Sequence, residues 1–163
     1  MKAVGASALG HLADLGPLCI RVGVGAVFAV HGWQKFDNGP ENFALFLDSL
    51  NVPAPEAVAW LQTIAEGIGG LMIIAGLMTR LVTIPLIGIM LGAILLVKVD
   101  LPGLGFVVDS ATGFELETAL LAGLLGLLFI GPGRISIDGA LGMETAVAPV
   151  GGRAAVTREP ERT

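Results

Sequence analysis

Polar side chains that could bind a ligand or move a proton lie inside long apolar runs of this sequence. Glu66 lies near the middle of one run, and Arg21 lies a few residues inside another. Placing an Arg, Lys or Asp near the centre of a membrane-spanning helix costs roughly 2.5–3.5 kcal/mol, so such residues usually have a function or pair helices. The candidates for ligand binding or proton relay are Arg21, His31, Lys35, Gln62, Glu66, Lys98 and Glu117.

Helical spacing predicts which of these residues share a face. Gln62 and Glu66 are i, i+4 neighbours, and so are His31 and Lys35. Glycines follow Glu66 three and four residues later, where they would let a second backbone approach beside the carboxylate. A further glycine pair, at 88 and 92, is also expected to serve helix packing.

Two glutamates open the last apolar run. Glu115 and Glu117 would stand roughly 200° apart on a helix of 3.6 residues per turn, so only one can face the other helices. We expect Glu117 to face inward, because it lies deeper and a deep carboxylate facing lipid would cost more.

A purely structural interpretation of the same residues stays open. Buried ion pairs fix helix packing as often as they form active sites, so Glu66 and Glu117 could simply hold helices together. The cationic partners considered for them are Arg21, His31 and Lys98. Lys35 and Lys98 could also extend to the membrane surface and act as anchors. No catalytic residue can be assigned.

Several classes of function are disfavoured. The chain has one cysteine and two histidines, which argues against a C-x-x-C redox site and against a bis-histidine haem. We predict no metal site, and no basic cluster indicates nucleic-acid binding.

The elements that must position these residues are apolar helices. Of the 163 residues, 54% are hydrophobic and 14% are charged, and the mean hydropathy is +0.83. Soluble domains carry about 25% charged residues, and a soluble chain this short could not bury so much apolar surface. The runs at about 17–34, 56–77, 80–98 and 114–130 are each near the ~20 residues that cross a bilayer.

We therefore predict an all-α membrane protein with a four-transmembrane-helix bundle over residues 17–142. Residues 1–16 form an N-terminal cytoplasmic segment, and residues 143–163 form a disordered cytoplasmic tail. A cleaved signal peptide is disfavoured for the first run, because Val30-His31-Gly32-Trp33 at its end offers no small-x-small cleavage site.

The connecting segments predict the orientation. Phe43, Phe46, Leu47 and Leu50 follow the i, i+3, i+4, i+7 pattern of a short amphipathic helix lying in the membrane interface, in the first outer loop. A tight turn at residues 78–79 joins the second and third runs. Basic residues gather on one side, at Lys2, Arg80, Arg134, Arg153, Arg158 and Arg162. The positive-inside rule places both termini and the tight turn in the cytoplasm, and we expect the protein in the plasma membrane.

Several motifs in this order resemble the DoxX family of small integral membrane proteins. They are Arg21 followed by His31-Gly32-Trp33-Gln34-Lys35, Phe43-Ala44-Leu45-Phe46-Leu47 with Val52-Pro53-Ala54-Pro55, Glu66-Gly67-Ile68-Gly69-Gly70, Gly76-Leu77-Met78-Thr79-Arg80, and Gly131-Pro132-Gly133-Arg134-Ile135-Ser136-Ile137-Asp138. The resemblance covers about residues 17–142. In one departure, many relatives carry His where this chain has Lys98.

The resemblance implies a four-helix membrane protein linked to redox processes. Members are associated with thiosulfate:quinone oxidoreductase assemblies and with superoxide-detoxifying or sulfur-transferring proteins. We accordingly expect an accessory subunit without its own electron-carrying cofactor, rather than a stand-alone enzyme. Quinone is the candidate ligand, and redox proteins or further copies of the chain are the candidate partners within the lipid bilayer. The alternatives are a membrane scaffold or chaperone without chemistry, and a small proton-coupled transporter in which Glu66 is the ion site.

Overall fold

A computed structural model describes residues 15–98 and 113–143, which form helices and turns with no strand among them. The helices are α1 Leu15–Asp37, α2 Pro40–Ser49, α3 Pro55–Ala75, α4 Thr79–Gly92, α5 Glu115–Ile130 and the single turn α6 Ile137–Ala140; a π-helical segment, Ala93–Lys98, continues α4. The prediction of an all-α protein is confirmed for these residues. Most of the predicted cytoplasmic segments, at 1–14 and 144–163, lie outside the described residues.

Three of the helices are long and apolar enough to cross a membrane. They are Leu15–Asp37, Pro55–Ala75 and Thr79–Leu96, with 23, 21 and 18 residues. Large apolar side chains cover their outer faces, as at Val30, Leu71 and Ile84. An apolar exterior of this kind is stable against lipid hydrocarbon, so the chain is a multi-pass membrane protein. The helix α5, at 16 residues, is shorter than these three.

Glycines bring the backbones of α1 and α3 into direct contact. A Cβ atom added to Gly32 would lie 2.2 Å from the backbone nitrogen of Gly67, and one added to Gly70 would lie 2.4 Å from that of Ala29. The sequence pattern predicted a close approach at Gly69 and Gly70. Only Gly70 faces α1, whereas Gly69 faces side chains of α4.

The bundle core lies between α1, α3, α4 and α5. Its fully buried side chains include Phe28, Ile73, Leu86 and Leu124, one from each of these four helices. The helix α5 is therefore an integral part of the bundle.

Arg21 ties together three segments at the end of the bundle that holds the tight turn. Its guanidinium donates hydrogen bonds to the carbonyl oxygens of Ile73 (3.0 Å), Ile74 (2.7 Å), Pro132 (2.8 Å) and Ile135 (2.6 Å). The first two belong to the last turn of α3, where carbonyls lack an i+4 partner within the helix and the helix dipole favours a cation. The Ile73 carbonyl also accepts a hydrogen bond from the N–H of Gly76 (3.1 Å). Arg21 thereby joins the end of α3 to the segment that follows α5.

Asp138 makes the complementary contact at the start of α4. Its carboxylate accepts hydrogen bonds from the backbone N–H groups of Met78 (2.7 Å) and Thr79 (2.9 Å), and its own N–H donates to the carbonyl of Gly76 (2.9 Å). An acidic group at a helix N-terminus satisfies free N–H groups and complements the helix dipole. The tight turn is thus held on both sides by residues distant in sequence.

Candidate ligand-binding cavity

A cavity of about 520 Å³ lies in the half of the bundle away from the tight turn. Its wall comes from the end of α1, from α2, the start of α3, the end of α4 with its π-helical continuation, and the start of α5. Most of the lining is apolar. The polar and ionisable side chains on the wall are His31, Lys35, Gln62, Glu66 and Glu117.

Glu66 is held by two donors at the cavity wall. It is only 2% exposed. Its Oε2 accepts a hydrogen bond from Lys35 Nζ at 2.5 Å, and its Oε1 accepts one from Gln62 Nε2 at 3.1 Å. The ammonium also lies 4.7 Å from the ring centre of Phe43 on α2, within the range of a cation–π contact. One ion pair therefore connects α1, α2 and α3.

The glycine contact between α1 and α3 explains why this pair forms. Gly32 meets Gly67, the residue after Glu66, and lies three residues before Lys35. Because the backbones touch at this level, the lysine one turn further along α1 reaches the carboxylate on α3. Gln62 is placed one turn before Glu66 on the same helix face by the i, i+4 spacing.

His31 borders the cavity from the outer surface of α1. Its ring is exposed, and Nδ1 lies 2.9 Å from the carbonyl oxygen of Val27. Because a carbonyl only accepts, this geometry assigns the hydrogen to Nδ1 and leaves Nε2 as the nitrogen available to a ligand.

The two glutamates at the start of α5 differ in position. Glu117 lines the cavity, and Glu115 does not. Both carboxylates lie in the first turn of the helix, where the dipole favours negative charge. One Glu115 oxygen is buried and accepts no hydrogen bond from the described residues.

Two sequence-derived candidates, Arg21 and Lys35, lie differently from the expectation, and a third, Lys98, stays untested. Arg21 is at the opposite end of the bundle and binds backbone carbonyls, so it is not part of the cavity. Lys35 turns inward to Glu66 rather than outward to the membrane surface, and it replaces the partners that we considered for that carboxylate. Lys98 ends the π-helical segment, and its side chain lies outside the described part of the structure.

Sequence analysis missed two parts of the wall. The apolar face of α2, which we assigned to the membrane interface, contributes Phe43, Phe46, Leu47 and Leu50 to the cavity. The i, i+3, i+4, i+7 pattern was the available signal, but it cannot distinguish packing on protein from packing on lipid. Gly88 and Gly92 also line the cavity, and a Cβ atom on either would meet no described atom within 4 Å. No described residue of this chain packs against either glycine, so the expected helix packing at this pair stays a prediction.

Comparison with known proteins agrees with this architecture. The DoxX family model matches residues 16–99, a range that holds all cavity-lining residues except Leu116, Glu117 and Leu120. An uncharacterized membrane protein of Mycobacterium tuberculosis is 37% identical over an alignment of 132 residues that covers 74% of this chain and 78% of that protein. The Bacillus subtilis protein CatD, whose name suggests an oxidoreductase, is 36% identical over 92 residues, or 56% of this chain and 66% of CatD.

No solved structure matches the chain with comparable significance. The family model covers more than half of the sequence, and the mycobacterial relative is matched over more than two thirds of its length. The chain therefore belongs to the DoxX family.

Proposed function

We propose that the protein spans the plasma membrane four times, with α5 as the fourth span and both termini in the cytoplasm. The 16 residues of α5 extend about 24 Å at 1.5 Å per residue, and tilt or local thinning of the bilayer accommodates the difference. Its share in the bundle core supports this assignment. The basic residues Arg80 and Arg134 support the orientation, because they lie at the end of the bundle that holds the tight turn. The helix α2 would then lie at the outer membrane interface.

We further propose that the cavity binds a quinone and that the protein is a subunit of a membrane redox complex without its own electron-carrying cofactor. One observation carries this proposal: an apolar cavity of about 520 Å³ has a lysine–glutamate pair and a glutamine on its wall. This size and this combination of apolar wall and few polar groups are typical of small-molecule sites. A quinone is a flat apolar ring whose carbonyl oxygens accept hydrogen bonds and which takes up two electrons and two protons on reduction.

The polar residues on the wall can form hydrogen bonds with both the oxidised quinone and the reduced quinol. The Lys35 ammonium and the Gln62 amide can donate to a carbonyl oxygen, and Nε2 of His31 can exchange a proton. The carboxylates of Glu66 and Glu117 can accept hydrogen bonds from hydroxyl groups. Glu66 lies next to two donors that would replace water around its charge inside the membrane. Electrons would come from a partner protein, and the name of CatD is consistent with such a redox role.

Equilibrium binding of a quinone to the purified protein tests this proposal. Glu66→Gln removes the charge and keeps the side-chain shape, and Glu56→Gln is the matched control on an exposed position of the same helix. We expect wild type and Glu56→Gln to bind equally, and Glu66→Gln to bind at least tenfold more weakly while circular dichroism shows the same helix content. If the folded wild type does not bind quinone, the proposal is wrong.

A scaffold without chemistry is the second candidate, and one observation favours it. Both oxygens of Glu66 already have partners within the protein, so the pair can connect the helices without any ligand. In that case Glu66→Gln would lower stability or assembly without changing the affinity for a ligand. A proton-coupled transporter would instead lose solute or proton flux in liposomes when Glu66 is replaced.

A further inference from the structure

The cavity lining combines a shielded charged pair with exposed apolar side chains. Its charged pair is shielded, with Glu66 almost fully buried. The lining also includes large apolar side chains with high exposed fractions: Phe46 (43%), Leu61 (70%), Leu96 (51%) and Leu116 (41%). In a membrane-embedded protein such exposed apolar groups lie against lipid hydrocarbon. This exposed apolar part of the lining is suited to contact with hydrocarbon.

The α4 wall of the cavity contains two glycines that no other described residue packs against. Gly88 and Gly92 are one helical turn apart, both line the cavity, and no described atom lies within 4 Å of a Cβ atom built on either. This differs from Gly32 and Gly70, whose missing side chains are replaced by the backbone of a neighbouring helix. The space beside Gly88 and Gly92 is left as cavity, bounded on other sides by the apolar side chains of α2 and α5.

We propose that a single hydrocarbon chain enters this space laterally from the bilayer and lies against Gly88 and Gly92. The polar head of the same molecule reaches Lys35 and Glu66. The inference rests on the proposed quinone site and narrows its ligand class to a lipid-soluble quinone with an alkyl or prenyl chain. A water-soluble quinone lacks the group that would fill the glycine wall, so it gains nothing from the apolar burial there.

Two probes with the same head test the role of the chain. They are 2,3-dimethoxy-5-methyl-1,4-benzoquinone with and without a decyl chain. Their binding to the protein in nanodiscs is followed by quenching of Trp33 and Trp60, the two tryptophans of the chain. The variants are Gly88→Leu and, as matched control, Gly23→Leu. Gly23 is also an exposed helical glycine with no described atom within 4 Å, but it lies outside the cavity.

We expect Gly88→Leu to weaken binding of the decyl probe at least tenfold and of the chainless probe less than threefold. Gly23→Leu should leave both affinities within twofold of wild type. Each variant is compared with wild type for the same probe, so partitioning of the probe into lipid cancels. If Gly88→Leu does not fold, Gly92→Val takes its place, and the same changes in affinity are expected for the two probes.

The outcomes separate this inference from the proposed function. If Gly88→Leu leaves the decyl probe unaffected, or weakens both probes equally, the chain site is wrong while the head site stands. If the wild type binds neither probe, the proposed function and the chain site are both wrong.

Discussion

The interaction between Lys35 and Glu66 can be measured as a coupling free energy. The structure places Lys35 Nζ 2.5 Å from Glu66 Oε2. The side chain of Glu66 is 3% exposed, and the side chain of Lys35 is 20% exposed. The perturbation is a double-mutant cycle with Lys35→Met, Glu66→Gln and both together. Methionine keeps the length and apolar stem of lysine, and glutamine keeps the shape of glutamate, so the cycle removes charge with little change in volume.

The burial of the pair sets the expected loss in the free energy of unfolding for each variant. Removing one partner of a buried ion pair typically costs about 3–5 kcal/mol, because the other charge stays buried alone. We expect Lys35→Met to approach the lower end, about 3 kcal/mol, since Gln62 still donates to Glu66. Glu66→Gln should cost less, about 1–2 kcal/mol, because the remaining charge belongs to the more exposed Lys35, which can extend to the surface. The double variant, which leaves neither charge, should cost about as much as Glu66→Gln alone.

These values give a threshold for the coupling. Hydrogen bonds between membrane helices average about 0.6 kcal/mol in such cycles and reach at most about 1.7 kcal/mol. A desolvated ion pair should exceed the upper figure. The assay is reversible unfolding of the detergent-solubilised protein by sodium dodecyl sulfate, followed by circular dichroism. Additive effects, with a coupling below about 0.6 kcal/mol, would refute the buried-pair interpretation.

Two further variants test the parts of the bundle that hold the cavity in place. Arg21→Lys should lower the free energy of unfolding by about 2–4 kcal/mol. In the wild type four carbonyls accept hydrogen bonds from the planar guanidinium, and an ammonium with three donors cannot reach them all. Unfolding titrations measure this loss, and a value below about 1 kcal/mol contradicts the role we assign to Arg21. Gly32→Ala should separate α1 from α3 and cost at least about 2 kcal/mol, because the new Cβ would lie 2.2 Å from the nitrogen of Gly67. Gly23→Ala is the control, and it should be neutral or stabilising, because no described atom lies near it. Equal stabilities of the two alanine variants would exclude the close backbone contact.

Local patterns predicted the elements of the fold well. Long apolar runs specify membrane helices, because only a helix satisfies every backbone hydrogen bond within lipid. The i, i+4 spacing also placed Gln62 beside Glu66, as the structure shows. These local patterns do not specify which residues on different helices contact one another. The position of Arg21 on its helix is compatible with many partners. Its four carbonyl acceptors are distant in sequence, so no local pattern identifies them.

The cavity shows the same limit. Its charged pair depends on the contact between Gly32 and Gly67, and no sequence pattern distinguishes Gly67 from its neighbours Gly69 and Gly70 as the contact point. The amphipathic pattern of α2 predicted a helix with one apolar face, but the partner of that face depends on the tertiary arrangement. Glycines beside a cavity and glycines between helices also look alike in sequence, and only the distances separate Gly88 from Gly32.

We expect the cavity beside Lys35 and Glu66 to hold a quinone in the native membrane. The most direct measurement is the molar ratio of quinone to protein after purification in a mild detergent, determined by mass spectrometry for wild type, Glu66→Gln and the control Glu56→Gln. We expect a ratio approaching one for wild type and for the control, with at least a tenfold lower ratio for a folded Glu66→Gln variant. A folded wild type without quinone, or equal ratios in all three proteins, would contradict it.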